Sequence, residues 1–84
     1  MTRSIAIKER KLGREKAYGI WHPGGVIEID PRLKPKKDLE IVLHELLHEM
    51  FRSMPEAEVV RKSRSLCNTL WKRGYRRIYL EDGK

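Results

Sequence analysis

The apolar residues of this chain change their period at Asp30-Pro31, and that change bounds what it can fold into. Before it, "SIAIK" alternates, "AYGIW" carries aromatic and branched residues, and "GVIEID" sets Val26, Ile27 and Ile29 against Glu28 and Asp30, in the manner of strands. The cluster "HPGG" forms turns, so Tyr18 to Ile29 reads as a β-hairpin. From about Lys36 to Arg52 the rhythm is helical: Leu39, Leu43, Leu46, Leu47 and Met50 share a stripe, and Asp38 and Glu40 sit in the first turn, where they suit the helix dipole. "RSMPE" breaks this helix, and a second one runs from about Pro55 to Arg73, with Gly74 where a C′ glycine stops a helix. "RRIYL" is a candidate for a short returning strand. The expectation is an α+β fold in a single domain, residues 1–84, with a small antiparallel β-sheet (the hairpin plus an N-terminal strand) followed by two packed helices.

A chain of 84 residues can bury only a thin core, so a bound ion would serve the fold as well as any chemistry. The single cysteine, Cys67, excludes an internal disulfide and reads as a small buried apolar side chain. "MTRSIAIKERK" lacks the apolar run of a signal peptide and no stretch is long enough to span a membrane, so a soluble, cytoplasmic protein with no membrane partner is expected. The net charge of +7 invites a nucleic-acid partner. Its pattern weakens that reading, because the basic residues are spread through "KERKLGREK", "PRLKPKK", "VVRKSR" and "WKRGYRR", often beside acids, and no nucleic-acid-binding motif is present.

The chemistry-bearing stretch is "IVLHELLHEMF". On a helix His44 and His48 lie about 40° apart, one turn above the other, so both imidazoles can reach one ion. Glu45 projects about 100° from His44, beside the ion rather than on it, as suits a general base acting on water that the ion activates. The competing reading is a pair of ordinary, partly buried histidines, since the His-Glu-x-x-His pattern arises by chance in about one in a hundred shuffles of this composition. The motif's place on an amphipathic helix, bordering the apolar stripe, favours the metal.

Two histidines need a third protein ligand to make a catalytic zinc site. On the second helix Glu56 shares its phase with Val59, Val60, Ser63, Cys67 and Leu70, so it points into the apolar arc, whereas Glu58 falls on the outer face with Ser65 and Lys72. Glu49 is turned about 100° from His48. A carboxylate aimed at an apolar face wants a cation, which makes Glu56 the candidate third ligand. The alternative is that "SMPE" is a capping box in which Glu56 bonds back to the amide of Ser53.

"HELLH" followed by a turn and a second helix bearing a glutamate resembles the gluzincin metallopeptidases, in particular the very small, minigluzincin-like members of prokaryotes and their phages. The stronger likeness runs from about Ile27 to Arg76, through "IEIDPRL", "VLHELLHEMF", "PEAEVV" and "LWKRGYR". The resemblance implies a minimal zincin-like domain that hydrolyses peptide bonds, with zinc on His44, His48 and Glu56, Glu45 as base, and a protein or peptide substrate. It also implies that the strand Val26 to Asp30 lines the cleft and pairs with an extended peptide. The chain departs from full peptidases in being far shorter, with no second lobe. His22 in "WHPGG" is a candidate transition-state stabiliser, or else a plain turn histidine; Tyr75 and Tyr79 could donate to an oxyanion; Trp21 and Trp71 read as core. Another class of function stays open: a non-catalytic, metal-stabilised binding module with weak nucleic-acid affinity.

Overall fold

A computed structural model describes residues 4–78. Three strands, β1 (Ala6–Glu9), β2 (Gly19–His22) and β3 (Val26–Ile29), precede two helices, α1 (Pro35–Met50) and α2 (Glu56–Lys72). The α+β expectation holds, with a three-stranded sheet followed by a packed helix pair.

The hairpin turns at Pro23-Gly24-Gly25, where Gly24 and Gly25 have φ of 111° and 90°, a conformation that a Cβ would oppose. It pairs Trp21 with Ile27 and Gly19 with Ile29, antiparallel as expected. The sheet as a whole is mixed rather than antiparallel: the strand order is β1-β3-β2, and β1 runs parallel to β3. The connection from β1 to β2 explains the difference. Residues 10–18 cross the end of the sheet, leaving room for β3 to slot between two strands that run opposite ways. This crossing segment is held by Leu12, fully buried, whose amide donates to Asp30 Oδ2 at 2.9 Å just beyond β3.

Ile27, Ile29 and Ile41 form the core, with Ile5, Trp21, Leu33, Val42 and Leu46 packed against it. Helix α1 is covered on two sides, by the sheet and by α2. Its most buried residues are therefore Asp38, Ile41, Glu45, Leu47 and Glu49, and Met50 of the expected apolar stripe is exposed. Three acids on buried positions of one helix is an unusual price for so thin a core, and two of them belong to the site described below.

Pro35 begins α1 at a position where its missing N–H is no loss. Helix α2 ends in a Schellman arrangement: Gly74, at φ 95°, donates its amide to Trp71 O at 3.0 Å, and the Tyr75 amide donates to Leu70 O at 3.0 Å. Gly74 thus stands at C′ as its place in the sequence predicts. Residues 76–78 are not in a strand, and Tyr79 and Leu80 lie outside the described residues. No helix among the described residues is long and apolar enough to cross a membrane.

Candidate metal centre

Helix α1 presents His44 and His48 one turn apart, and the first residue of α2, Glu56, reaches both. Glu56 Oε2 lies 3.0 Å from His44 Nε2, and Oε1 lies 2.9 Å from His48 Nε2. One donor atom from each of the three residues falls within 4.8 Å of the others, so His44, His48 and Glu56 form a group that could hold a metal ion. Donors on a tetrahedral ion at about 2.0–2.2 Å stand roughly 3.3–3.6 Å apart, so the observed contacts need open by less than about 1 Å to admit one. Two imidazoles and one carboxylate also leave a coordination position free for water or substrate.

Glu56 reaches the site by a different route from the one its helical phase suggests. The phase is right, since Val59, Ser63 and Cys67 are the buried residues of α2. Glu56, however, is in the first turn, beyond the end of the core, and its side chain is 64% exposed. Its carboxylate is held by the imidazoles rather than by apolar burial. The capping-box alternative fails: Pro55 is the N-cap, no side chain caps the helix, and both Glu56 oxygens face the histidines.

Glu45 lies outside the ligand group, on the side of α1 that meets β2. It is 7% exposed. Burial pushes its pKa above the ordinary carboxylate value, while the charges of His44 and His48 pull the other way and that of Glu56 adds to the rise. Gly19 makes this placement possible. A Cβ there would come within 2.7 Å of Ile41 Cγ2 and 3.2 Å of Glu45 Cγ and Oε2, so the β2 backbone passes directly over the carboxylate because Gly19 has no side chain.

Trp21 is half-buried, packed against the core as expected and also at the edge of the site. Its ring stacks on His48, with centroids 5.8 Å apart and planes 16° from parallel. Its Nε1–H donates to Glu49 Oε1 at 2.7 Å, and Arg52 Nη2 donates to Glu49 Oε2 at 3.3 Å. The sequence reading takes Trp21 only as core, gives Gly19 no role and sees Glu49 only as turned from His48. Strand alternation in the hairpin register, which sets Gly19 and Trp21 opposite the buried Ile29 and Ile27, is the signal that places the first two on the helix side.

His22, the next residue along β2, projects from the other face of the sheet, where its Nε2 lies 2.9 Å from Glu28 Oε1. Glu28 also accepts from Arg10, and this guanidinium, followed by His22, lowers its pKa to about 2. His22 is therefore not brought to the ligand group. Tyr75 is exposed at the far end of α2, and Arg76 lies 3.3 Å over the Trp71 ring centroid. Cys67 is buried, with its thiol 3.5 Å from Lys36 O. Strand β3 cannot take an extended peptide, because β1 and β2 occupy both of its edges; β2 is the strand beside α1 whose second edge no described residue pairs.

Compared with known proteins, the chain matches no family model, no curated protein and no solved structure.

Proposed function

We propose that this protein is a zinc-dependent peptidase of minimal size, in which His44, His48 and Glu56 hold the ion and Glu45 is the general base. The observation that carries the proposal is the company Glu45 keeps: a carboxylate on a residue only 7% exposed, next to three donors within 4.8 Å of one another. The likeness of "HELLH" and the following helix to small gluzincins points the same way.

Zinc in such a setting supplies Lewis acidity, making water a better acid and a carbonyl a better electrophile. His44 and His48 offer neutral Nε2 lone pairs, and Glu56 offers an anionic oxygen whose charge offsets part of the cation's. Glu45 accepts the proton that water loses as its oxygen attacks the scissile carbon, then delivers it to the amine nitrogen as the C–N bond breaks. A carboxylate with a raised pKa is a stronger base once ionised than one in free solution.

Metal analysis of untagged protein tests the first half, with about one zinc per chain expected and loss of it in His44→Ala and His48→Ala. Full zinc retention in the double alanine variant removes the assignment. Cleavage of a broad peptide library by wild type and Glu45→Gln tests the second half.

The second reading is a metal-stabilised binding module. In its favour, the ligands come from both helices, so an ion there would tie α1 to α2 whether or not it did chemistry. A purely structural zinc site, however, ordinarily takes four protein ligands and has no use for a buried glutamate beside it. Equal cleavage by wild type and Glu45→Gln would favour this module.

A further inference from the structure

We propose that Trp21 is the positioning residue of the metal centre, its indole holding the His48 imidazole in the orientation that presents Nε2 to Glu56 and to the ion. The inference rests on reading His44, His48 and Glu56 as a metal site, and extends it to a residue on a different element.

Metal-binding histidines are ordinarily fixed by a hydrogen bond from the ring nitrogen that faces away from the ion, which sets both tautomer and ring plane. Among the described residues neither His44 nor His48 has such a bond; the polar contact each makes is through Nε2, to Glu56. What the described residues give the two rings is aromatic contact. For His48 it is the Trp21 face, at 5.8 Å and 16°. His44 in turn meets His48 edge to face, with centroids 5.0 Å apart and planes at 66°, so fixing one ring restrains the other.

The indole is itself held at three points. Its Nε1–H donates to Glu49 Oε1 at 2.7 Å, a charge-assisted bond. Arg52 lies 5.8 Å from the Trp21 centroid and bonds the same Glu49 at 3.3 Å, closing a ring of contacts between β2 and the end of α1. Pairing of Trp21 with Ile27 fixes the backbone beneath. The Glu49 side chain is only 5% exposed, and its carboxylate accepts from both the indole and Arg52. The residue after the second motif histidine thus serves the site through a tryptophan 28 residues earlier.

The test uses the full chain, reading zinc affinity by competition with a chromophoric chelator and ligand geometry by the absorption spectrum of the cobalt-substituted protein. Trp21→Leu removes the ring and should weaken zinc by about 10–100-fold, the range for losing an outer partner of a ligand, with a changed cobalt spectrum. Trp21→Phe keeps a stacking face and should recover most of both. Cys67→Ala, a core change far from the site, should lower the melting temperature while leaving zinc affinity and the cobalt spectrum as in wild type.

Wild-type zinc affinity and cobalt spectrum in Trp21→Leu would overturn the proposal while leaving the metal site standing. An equal loss of affinity in Cys67→Ala would overturn it too, as a general effect of stability. Should Trp21→Leu not fold, proton Overhauser contacts between the Trp21 indole and the His48 ring in zinc-loaded wild type decide the matter, and their absence is a negative result. Failure of wild type to bind zinc through His44 and His48 is the separate outcome that removes the metal reading, and this inference with it.

Discussion

Glu45 carries a charge where a helix lying on a sheet ordinarily carries a leucine. Its pKa is raised by burial, so the folded chain holds the Glu45 proton more tightly than the unfolded chain does, and without metal its contribution to stability falls as pH rises through the carboxylate range. At neutral pH the ionised group then works against the fold. Glu45→Gln should stabilise the metal-free protein at pH 7 by on the order of 1 kcal/mol. In acid, where Glu45 is protonated in both states, that gain should disappear; thermal melts in chelator at the two pH values give the comparison. With zinc present the same variant should keep its metal yet lose cleavage by at least about 100-fold, since a positioned base is worth that much. Stability and rate would move in opposite directions. Glu56→Gln should weaken zinc directly, because a neutral amide replaces an anionic ligand. Glu58→Gln should alter neither zinc nor cleavage, as Glu58 pairs with Lys62 on the surface at 3.6 Å. Zinc loss from the Glu58 variant with retention in the Glu56 variant would reverse the ligand assignment.

Between elements, the closest approach is the crossing of β2 over α1 at Gly19. A methyl group there meets Ile41 Cγ2 at 2.7 Å, so Gly19→Ala must push strand and helix apart or turn both Ile41 and Glu45 from their places. The expected cost is about 1–3 kcal/mol, as for overpacking elsewhere. Denaturant unfolding measures it, and an unchanged midpoint would show that β2 and α1 are not tightly docked at Gly19. The elements themselves were legible in the sequence wherever their signals are local. Pro23-Gly24-Gly25 marks the hairpin and Gly74 the end of α2, and each acts through its own backbone. His44, His48 and the phase of Glu56 were legible for the same reason, since one period relates them to their helices. What could not be read depends on one element lying over another. The parallel pairing of β1 with β3 follows from a crossing segment that could have set β1 against either strand of the hairpin, and Trp21 meets His48 only because α1 lies along β2. The same limit hid the exposure of Glu56, whose phase says which way it points but not that the core has ended before its turn.

At the scale of the whole molecule, Asp30 ties the segment that crosses from β1 to β2 to the chain just beyond β3. It accepts from the Leu12 amide at 2.9 Å and from the Arg32 amide at 2.9 Å, and its two oxygens pair with the Arg32 guanidinium. The Arg32 side chain first, then the two amides, hold its pKa well below the usual carboxylate range. The folded state therefore releases this proton more readily than the unfolded chain. The resulting stability is present above the unfolded pKa of about 3.9 and is lost as pH falls through that value toward the folded one. Wild type should accordingly lose melting temperature in acid more steeply than Asp30→Asn, which starts lower at pH 7; parallel slopes would show that Asp30 does not govern acid unfolding. Metal works on the same scale. Chelation should destabilise the chain by about 4 kcal/mol if free zinc stood 1,000-fold above its dissociation constant. Charge is more diffuse: Arg10, Arg32, Arg52 and Arg77 are each paired with acids, so any nucleic-acid binding should be weak and should fall steeply with added salt. A tight, sequence-selective complex at physiological salt would contradict that expectation.

The stacking of Trp21 on His48 also gives the protein an optical readout of its own. An indole in contact with an imidazole changes its emission when that ring gains a proton, and a paramagnetic ion at the ring's far edge darkens it. The only other tryptophan, Trp71, sits at the opposite end of α2 beneath Arg76. In Trp71→Phe, intrinsic fluorescence reports the state of the centre from a single residue, with no label attached.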